Sequence, residues 1–197
     1  MEATAVEGDR ERQLLAAAED MIREGRTLNL SLAEVADRIG VSRSLLYTYF
    51  DGVPAIVDEL FLRHMDTLGA RILPPLASGK TPYRDRASEA YAAYLDYLIE
   101  SGPVLQLILR ERHQDSPLGP ESQRRFRQLV RRVASETCHA LDLAPREAFV
   151  LIELTGGIPE ALARLVRGGE IDRDTAHATC RRLVMASVDG FAPAPAR

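Results

Sequence analysis

The sequence predicts an all-α protein of about nine helices. Apolar residues recur at helical spacing along most of the chain, and no segment keeps the two-residue alternation of a strand. Serine, threonine, aspartate, glycine and proline also recur where helices start and stop. With 197 residues, 46% of them hydrophobic, the chain can form one large domain or a small domain joined to a larger one.

The elements follow in order. A first helix over 10–25 carries the stripe Leu15, Ala18, Met21 and Ile22 and ends at Gly25. A second, over 32–39, starts after Ser31 and ends at Gly40, and a third spans 43–49. The fourth, 53–72, is expected to close at Pro74-Pro75, because proline lacks the N–H that a helix interior needs. Thr81-Pro82 opens the fifth, 82–100, with proline in the first turn where that N–H has no partner anyway. A sixth covers 103–113. Gly119-Pro120 and Ala144-Pro145 open helices over 120–141 and 145–167, and Asp172 caps a last helix over 173–189. Disordered tails are expected over 1–9 and 192–197.

Composition removes several classes of function. Cys138 and Cys180 are too few for a disulfide framework, which suits a reduced, cytoplasmic location. The first twelve residues are polar and acidic, so no export signal is expected. No apolar run approaches the ~18–20 residues that span a bilayer, so no membrane partner is expected either. There is no Gly-x-Ser-x-Gly elbow and no glycine-rich phosphate loop, and neither a catalytic residue nor a cofactor is expected. His64, His113, His139, His177 and the two cysteines raise the question of a metal. Adjacent helical residues such as Cys138 and His139 diverge by about 100°, so buried thiols and solvated imidazoles are the simpler reading, with no metal site.

Charge offers no global footprint for nucleic acid. Net charge is −4, and lysine occurs only at position 80. Residues 1–64 hold 7 arginines against 12 acidic residues. Any DNA contact must rest on local geometry instead.

That geometry lies in 31–50, SLAEVADRIGVSRSLLYTYF. Ser31 and Glu34 have the spacing of a capping box. Leu32, Val35, Ala36 and Ile39 form one apolar face, Gly40 suits a left-handed turn, and Ser42 caps a short helix whose Leu46 and Phe50 share a face. Two short helices about a glycine turn make a helix-turn-helix. Its outer residues Arg43, Ser44, Tyr47 and Thr48 would face the major groove of double-stranded operator DNA. Arg43 can pair bidentately with guanine and Leu45 can touch a thymine methyl. Ser31, Ser42, Tyr47 and Tyr49 offer hydroxyls to phosphates, which set register without reading sequence.

From about Arg10 to His64 the chain resembles the DNA-binding domain of the TetR family of bacterial transcriptional regulators. The resemblance rests on Ala36, Ile39-Gly40-Val41-Ser42, Leu46-Tyr47-x-Tyr49-Phe50 and a fourth helix opening near Pro54. It implies a homodimer that regulates transcription, with a C-terminal helical domain that dimerises and binds a small-molecule effector. Where the family often has lysine at the start of helix four, this chain has Val53; where it often has glycine, this chain has Ser44. The resulting division is a helix-turn-helix domain over 10–55 and a helical ligand-binding and dimerisation domain over 56–191. A ligand-released repressor is the expected function, and a helical protein–protein module without DNA binding is the alternative.

In the C-terminal part, Tyr91, Tyr94 and Tyr97 descend one side of a helix as core or as the wall of a cavity. With His64, Gln106 and Arg110 they form the candidate pocket for a mostly apolar ligand. The helix over 145–167 is apolar on more than one face, which calls for a second partner. Phe149, Ile152, Leu162 and Leu165, with Cys180, Leu183, Val184 and Val188 on the last helix, are the expected dimer interface. Arg124, Arg125, Arg127, Arg131 and Arg132 line the helix over 120–141, either as a solvated face or as a second nucleic-acid surface. Gly156-Gly157 suggests a kink or a close-packing point.

Overall fold

The computed structural model describes residues 2–79, 81–115 and 118–192. Among these residues there are nine α-helices and no strand: α1 (Glu2–Gly25), α2 (Leu32–Ile39), α3 (Arg43–Tyr49), α4 (Val53–Ala77), α5 (Tyr83–Ser101), α6 (Val104–Asp115), α7 (Pro120–Leu141), α8 (Pro145–Arg167) and α9 (Arg173–Phe191). None is long and apolar enough to cross a membrane. The fold is therefore all-α, with an N-terminal helix-turn-helix and a C-terminal helical region.

Helix boundaries depart from the sequence expectation in three places. The segment expected as an N-terminal tail is helical from Glu2, apart from Met1, which lies outside the described residues. Asp9 holds Arg12 at 3.1 Å and accepts from the Gln13 amide at 3.0 Å, so pairs three and four residues apart tie this turn to the next. Gly25 remains helical, and Arg26 takes the left-handed conformation at φ 53°. The prolines 74 and 75 lie within α4 rather than ending it, and at the end of that helix the Arg86 guanidinium donates to the carbonyl of Leu76. The expected C-terminal tail lies outside the described residues beyond Ala192.

The caps are mostly local and as expected. Asp172 accepts from the Thr175 N–H at 2.6 Å, and the Glu147 carboxylate accepts from the Ala144 N–H at 3.1 Å at the start of α8. Ser31 is the N-cap of α2 by backbone, but its hydroxyl makes no cap hydrogen bond, so the capping box does not form. Gly156 and Gly157 lie in a continuous α8, and a Cβ at either would meet nothing within 4 Å, so neither is a close-packing point within the protomer.

The chain divides into two compact units that do not follow the contiguous 10–55 and 56–191 division. The first takes residues 1–64 and 103–123, the second 65–102 and 124–197. In the first, Leu14, Ala18 and Ile22 of α1 are buried with Val35 and Ala36 of α2, Leu46 of α3, and Ile56, Leu60 and Phe61 of α4. The N-terminus of α7 is fastened there too. The Asp58 carboxylate accepts from the Gly119 N–H at 2.8 Å, and a Cβ on Gly119 would press against that carboxylate at 3.0 Å.

In the second unit α5 packs against both α8 and α9. Its tyrosines bind neighbouring helices: Tyr83 to Thr137 of α7 at 2.6 Å, Tyr91 to Thr155 of α8 at 2.5 Å, and Tyr94 to Glu160 at 3.0 Å. Burial pushes the Tyr91 phenol up to about 12, and burial with the neighbouring Glu160 carboxylate raises that of Tyr94 well above its ordinary value. Both therefore act as neutral hydrogen-bonding groups.

Candidate nucleic-acid interface

The turn between α2 and α3 is held by backbone geometry. Gly40 adopts φ 69° and ψ 36°, its N–H bonds to the Asp37 carbonyl at 3.2 Å, and the Val41 N–H reaches back to Ala36 at 3.0 Å. These two bonds form a Schellman motif, which satisfies carbonyls left over at a helix end. Two residues later Ser42, in extended conformation, accepts the Leu45 N–H at 3.2 Å on its hydroxyl and starts α3. The side chain that pins α3 to the interior is Leu46, fully buried, with Phe50 buried one turn on.

Once Leu46 faces inward, the rest of this short helix is positioned. Arg43, Ser44 and Thr48 are exposed, Tyr47 is 58% exposed and Leu45 is 36% exposed. Arg43 makes no ion pair among the described residues. Several other arginines of this unit are ion-paired. Arg38 clasps Glu24 through two bonds of 2.5 and 2.8 Å, which also holds the Glu24 carboxyl below its ordinary range. Arg23 is held by Glu19 and Asp20, and Arg63 by Glu11 and Glu59. Arg23, Arg38 and Arg63 are thus neutralised within this unit, while Arg43 stands on the outer face of α3.

Not every expected phosphate donor is free for that role. The Ser42 hydroxyl is engaged in the cap and lies 3.1 Å from Ser44 Oγ, and the Thr48 hydroxyl donates to the Leu45 carbonyl. Tyr49 and Ser31 are half-buried. Tyr47 is the phenol that stands clear.

Of the candidate pocket residues, His64, Gln106 and Arg110 belong to the first compact unit and Tyr91, Tyr94 and Tyr97 to the second. His64 is buried, with Glu19 3.7 Å from its Nε2. Burial and then the Arg23 charge lower its pKa to about 4. The tyrosine stripe faces the interior of its unit: Tyr97 is buried with the Arg71 guanidinium over its ring at 5.3 Å, and the hydroxyls of Tyr91 and Tyr94 have partners on α8. Gln106 is half-buried and Arg110 exposed.

The expected dimer residues divide. Leu162 of α8 and Cys180, Val184 and Val188 of α9 are buried inside the protomer, where α5, α8 and α9 pack on one another, and they are not available to a second copy. Phe149 and Leu183 are 50% and 47% exposed, while Ile152 and Leu165 are half-buried. Val150 and Leu154, both exposed and the latter at 71%, belong to the apolar set of this helix but fall outside the residues chosen for the interface. Their spacing of four on α8 was the available signal. Among the metal candidates, His177 Nε2 lies 2.7 Å from Asp96, Cys180 is buried and its thiol is pushed up to about 11, and the His113 side chain lies outside the described residues.

Comparison with known proteins places this geometry. Residues 14–60 match the family described as bacterial regulatory proteins, tetR family. Over 161 residues the chain is 25% identical to the HTH-type transcriptional activator FasR of Mycolicibacterium smegmatis, spanning 82% of this chain and 67% of that protein. Among solved structures, a tetR-family transcriptional regulator from Streptomyces coelicolor superposes with a TM-score of 0.64 at 22% identity, covering 93% of this chain and 79% of that one. A TetR family transcription regulator from Marinobacter aquaeolei gives 0.72 at 16% identity, covering 93% and 97%. Such likenesses at low identity reflect a shared fold. The matched segment contains the turn, the cap and the exposed face of α3, so it is the DNA-binding part of this chain that is similar to the tetR family of bacterial regulatory proteins.

Proposed function

We propose that the protein is a cytoplasmic, homodimeric transcriptional regulator that binds operator DNA through α3 and represses until a small effector releases it. The observation that carries the DNA reading is the outer face of α3. There an unpaired Arg43, an exposed Tyr47 and a half-exposed Leu45 stand on a helix anchored by Leu46 and set by the Gly40 turn. Arg43 supplies a fork for guanine, Leu45 an apolar contact for a thymine methyl, and Tyr47 a phosphate donor.

The second copy is proposed to cover the outer faces of α8 and α9. Val150, Leu154, Gly157 and Ala161 run along one exposed side of α8, and Leu183, Ala186 and Gly190 along one exposed side of α9. Exposed apolar residues interleaved with small ones suit close approach of helices around a two-fold axis. Operator binding by such a dimer requires its two copies of α3 to stand about one DNA turn apart, ~34–36 Å.

A second reading of the regulatory sign has specific support, since FasR of Mycolicibacterium smegmatis is an activator. Reporter transcription from a bound promoter, with and without the protein, separates the two. The primary test is a gel shift on DNA flanking the encoding gene. Specific binding by the wild type that Arg43→Ala weakens at one base pair supports the reading. Absence of specific binding favours the protein–protein module.

A further inference from the structure

Helix α7 of the second unit has a face that the DNA reading does not use. Arg125, Gln128, Leu129 and Arg132 stand at i, i+3, i+4 and i+7, which places them on one side of the helix. Across from them the C-terminal half of α4 presents Met65, Gly69 and Leu73, and between the two helices lies an open groove of about 560 Å³.

The floor and the rim differ in chemistry. At Gly69 a Cβ would stand 3.7 Å from Leu129 Cδ1 and 3.9 Å from Leu73 Cδ1, so glycine keeps a low floor bordered by aliphatic carbon. The rim is cationic. Arg125 lies 3.2 Å from Asp66, with both side chains largely exposed, and such a pair is held weakly enough to exchange partners. Arg132 is exposed and makes no ion pair among the described residues. The lining thus carries the guanidinium groups of Arg125 and Arg132 and the carboxylate of Asp66, and Arg132 is the cation that no ion pair among the described residues holds.

We propose that the groove binds a small apolar monocarboxylate, its hydrocarbon body on Gly69, Leu73 and Leu129 and its carboxylate in the fork of Arg132. A guanidinium presents parallel N–H donors that match a carboxylate, and Arg125 supplies a second cation when it releases Asp66. Pockets that take small organic ligands span roughly 300–1,000 Å³ and combine an apolar lining with a few directed polar groups, which this groove matches in size and in kind. Arg124, Arg127 and Arg131 lie off this face of α7 and have no part in it.

Calorimetric titration of the full, DNA-free chain with ω-phenylhexanoate and with neutral ω-phenylhexanol tests the site. The carboxylate is expected to bind at least about tenfold tighter than the alcohol, a difference of about 1.4 kcal/mol. Arg132→Gln, an exposed substitution, is expected to erase that preference while leaving the weak alcohol binding. Gly69→Leu fills the floor with a better helix former and is expected to weaken both ligands at least tenfold. Gly69→Ala gives a smaller loss in the same direction if leucine disturbs the fold. Equal affinity for acid and alcohol, carboxylate binding unchanged by Arg132→Gln, or no binding of either compound up to millimolar concentration would each overturn the proposal.

Discussion

Replacing Gly40 with alanine isolates the backbone term at the turn that positions α3. Gly40 sits at φ 69°, where an L-residue brings its Cβ too close to the following carbonyl oxygen. A Cβ there would meet no other atom within 4 Å, so no steric clash adds to the conformational cost. The left-handed conformation costs a residue with a Cβ about 1–2 kcal/mol. At roughly 2–4 °C per kcal/mol for a chain of this size, the melting temperature should fall by about 2–8 °C. Gly40→Asn should lose less, because asparagine visits this conformation with local hydrogen-bonding help. The assay is urea or thermal unfolding of the three proteins side by side. DNA affinity measured well below the transition should change little, since Leu46 and the Ser42 cap still set the helix. A neutral or stabilising Gly40→Ala would refute the reasoning, because alanine at a compatible position stabilises by reducing the freedom of the unfolded chain.

Other expected outcomes follow from the same structure. Tyr47→Ala should weaken binding to all DNA sequences alike, whereas Arg43→Ala should cost about 1–3 kcal/mol at the operator and blunt discrimination at one base pair; competition with operator variants distinguishes the two. Arg12, Arg23, Arg38 and Arg63 of the first unit are tied to carboxylates, so if Arg26 and Arg43 are the cations that reach phosphate, the log–log salt slope for a dimer should be about −4, and a slope near −10 would show many more contacts. His64 titrates at about 4 when folded against about 6.5 unfolded. Above pH 6.5 neither state carries the proton. As pH falls from 6.5 to 4 only the unfolded chain takes it up, so stability drops by about 3 kcal/mol, and His64→Gln should flatten that acid limb in unfolding measured against pH. Leu154→Arg should give monomers in sedimentation without lowering the melting temperature of the protomer, because its side chain is 71% exposed; a dimer that survives would place the interface elsewhere.

What the sequence by itself determined lies within a few residues along the chain. Gly40 in the left-handed region, Ser42 accepting from Leu45, Asp172 accepting from Thr175 and Leu46 facing inward all follow from residue chemistry and helical period. Tertiary structure decided what period cannot contain. An apolar stripe states that something covers it, and only packing chooses between another segment and a second copy; α5 and α8 took Cys180, Val184 and Val188, leaving Leu154 and Val150 outside. The hydroxyls of Tyr83, Tyr91 and Tyr94 found partners 54, 64 and 66 residues away, at distances along the chain where no local pattern reaches. The end of α4 also lies past its prolines, where Arg86, ten residues on, donates to the Leu76 carbonyl. Local hydrogen bonds and backbone torsions are properties of neighbouring residues; burial and long-range pairing are properties of the folded chain.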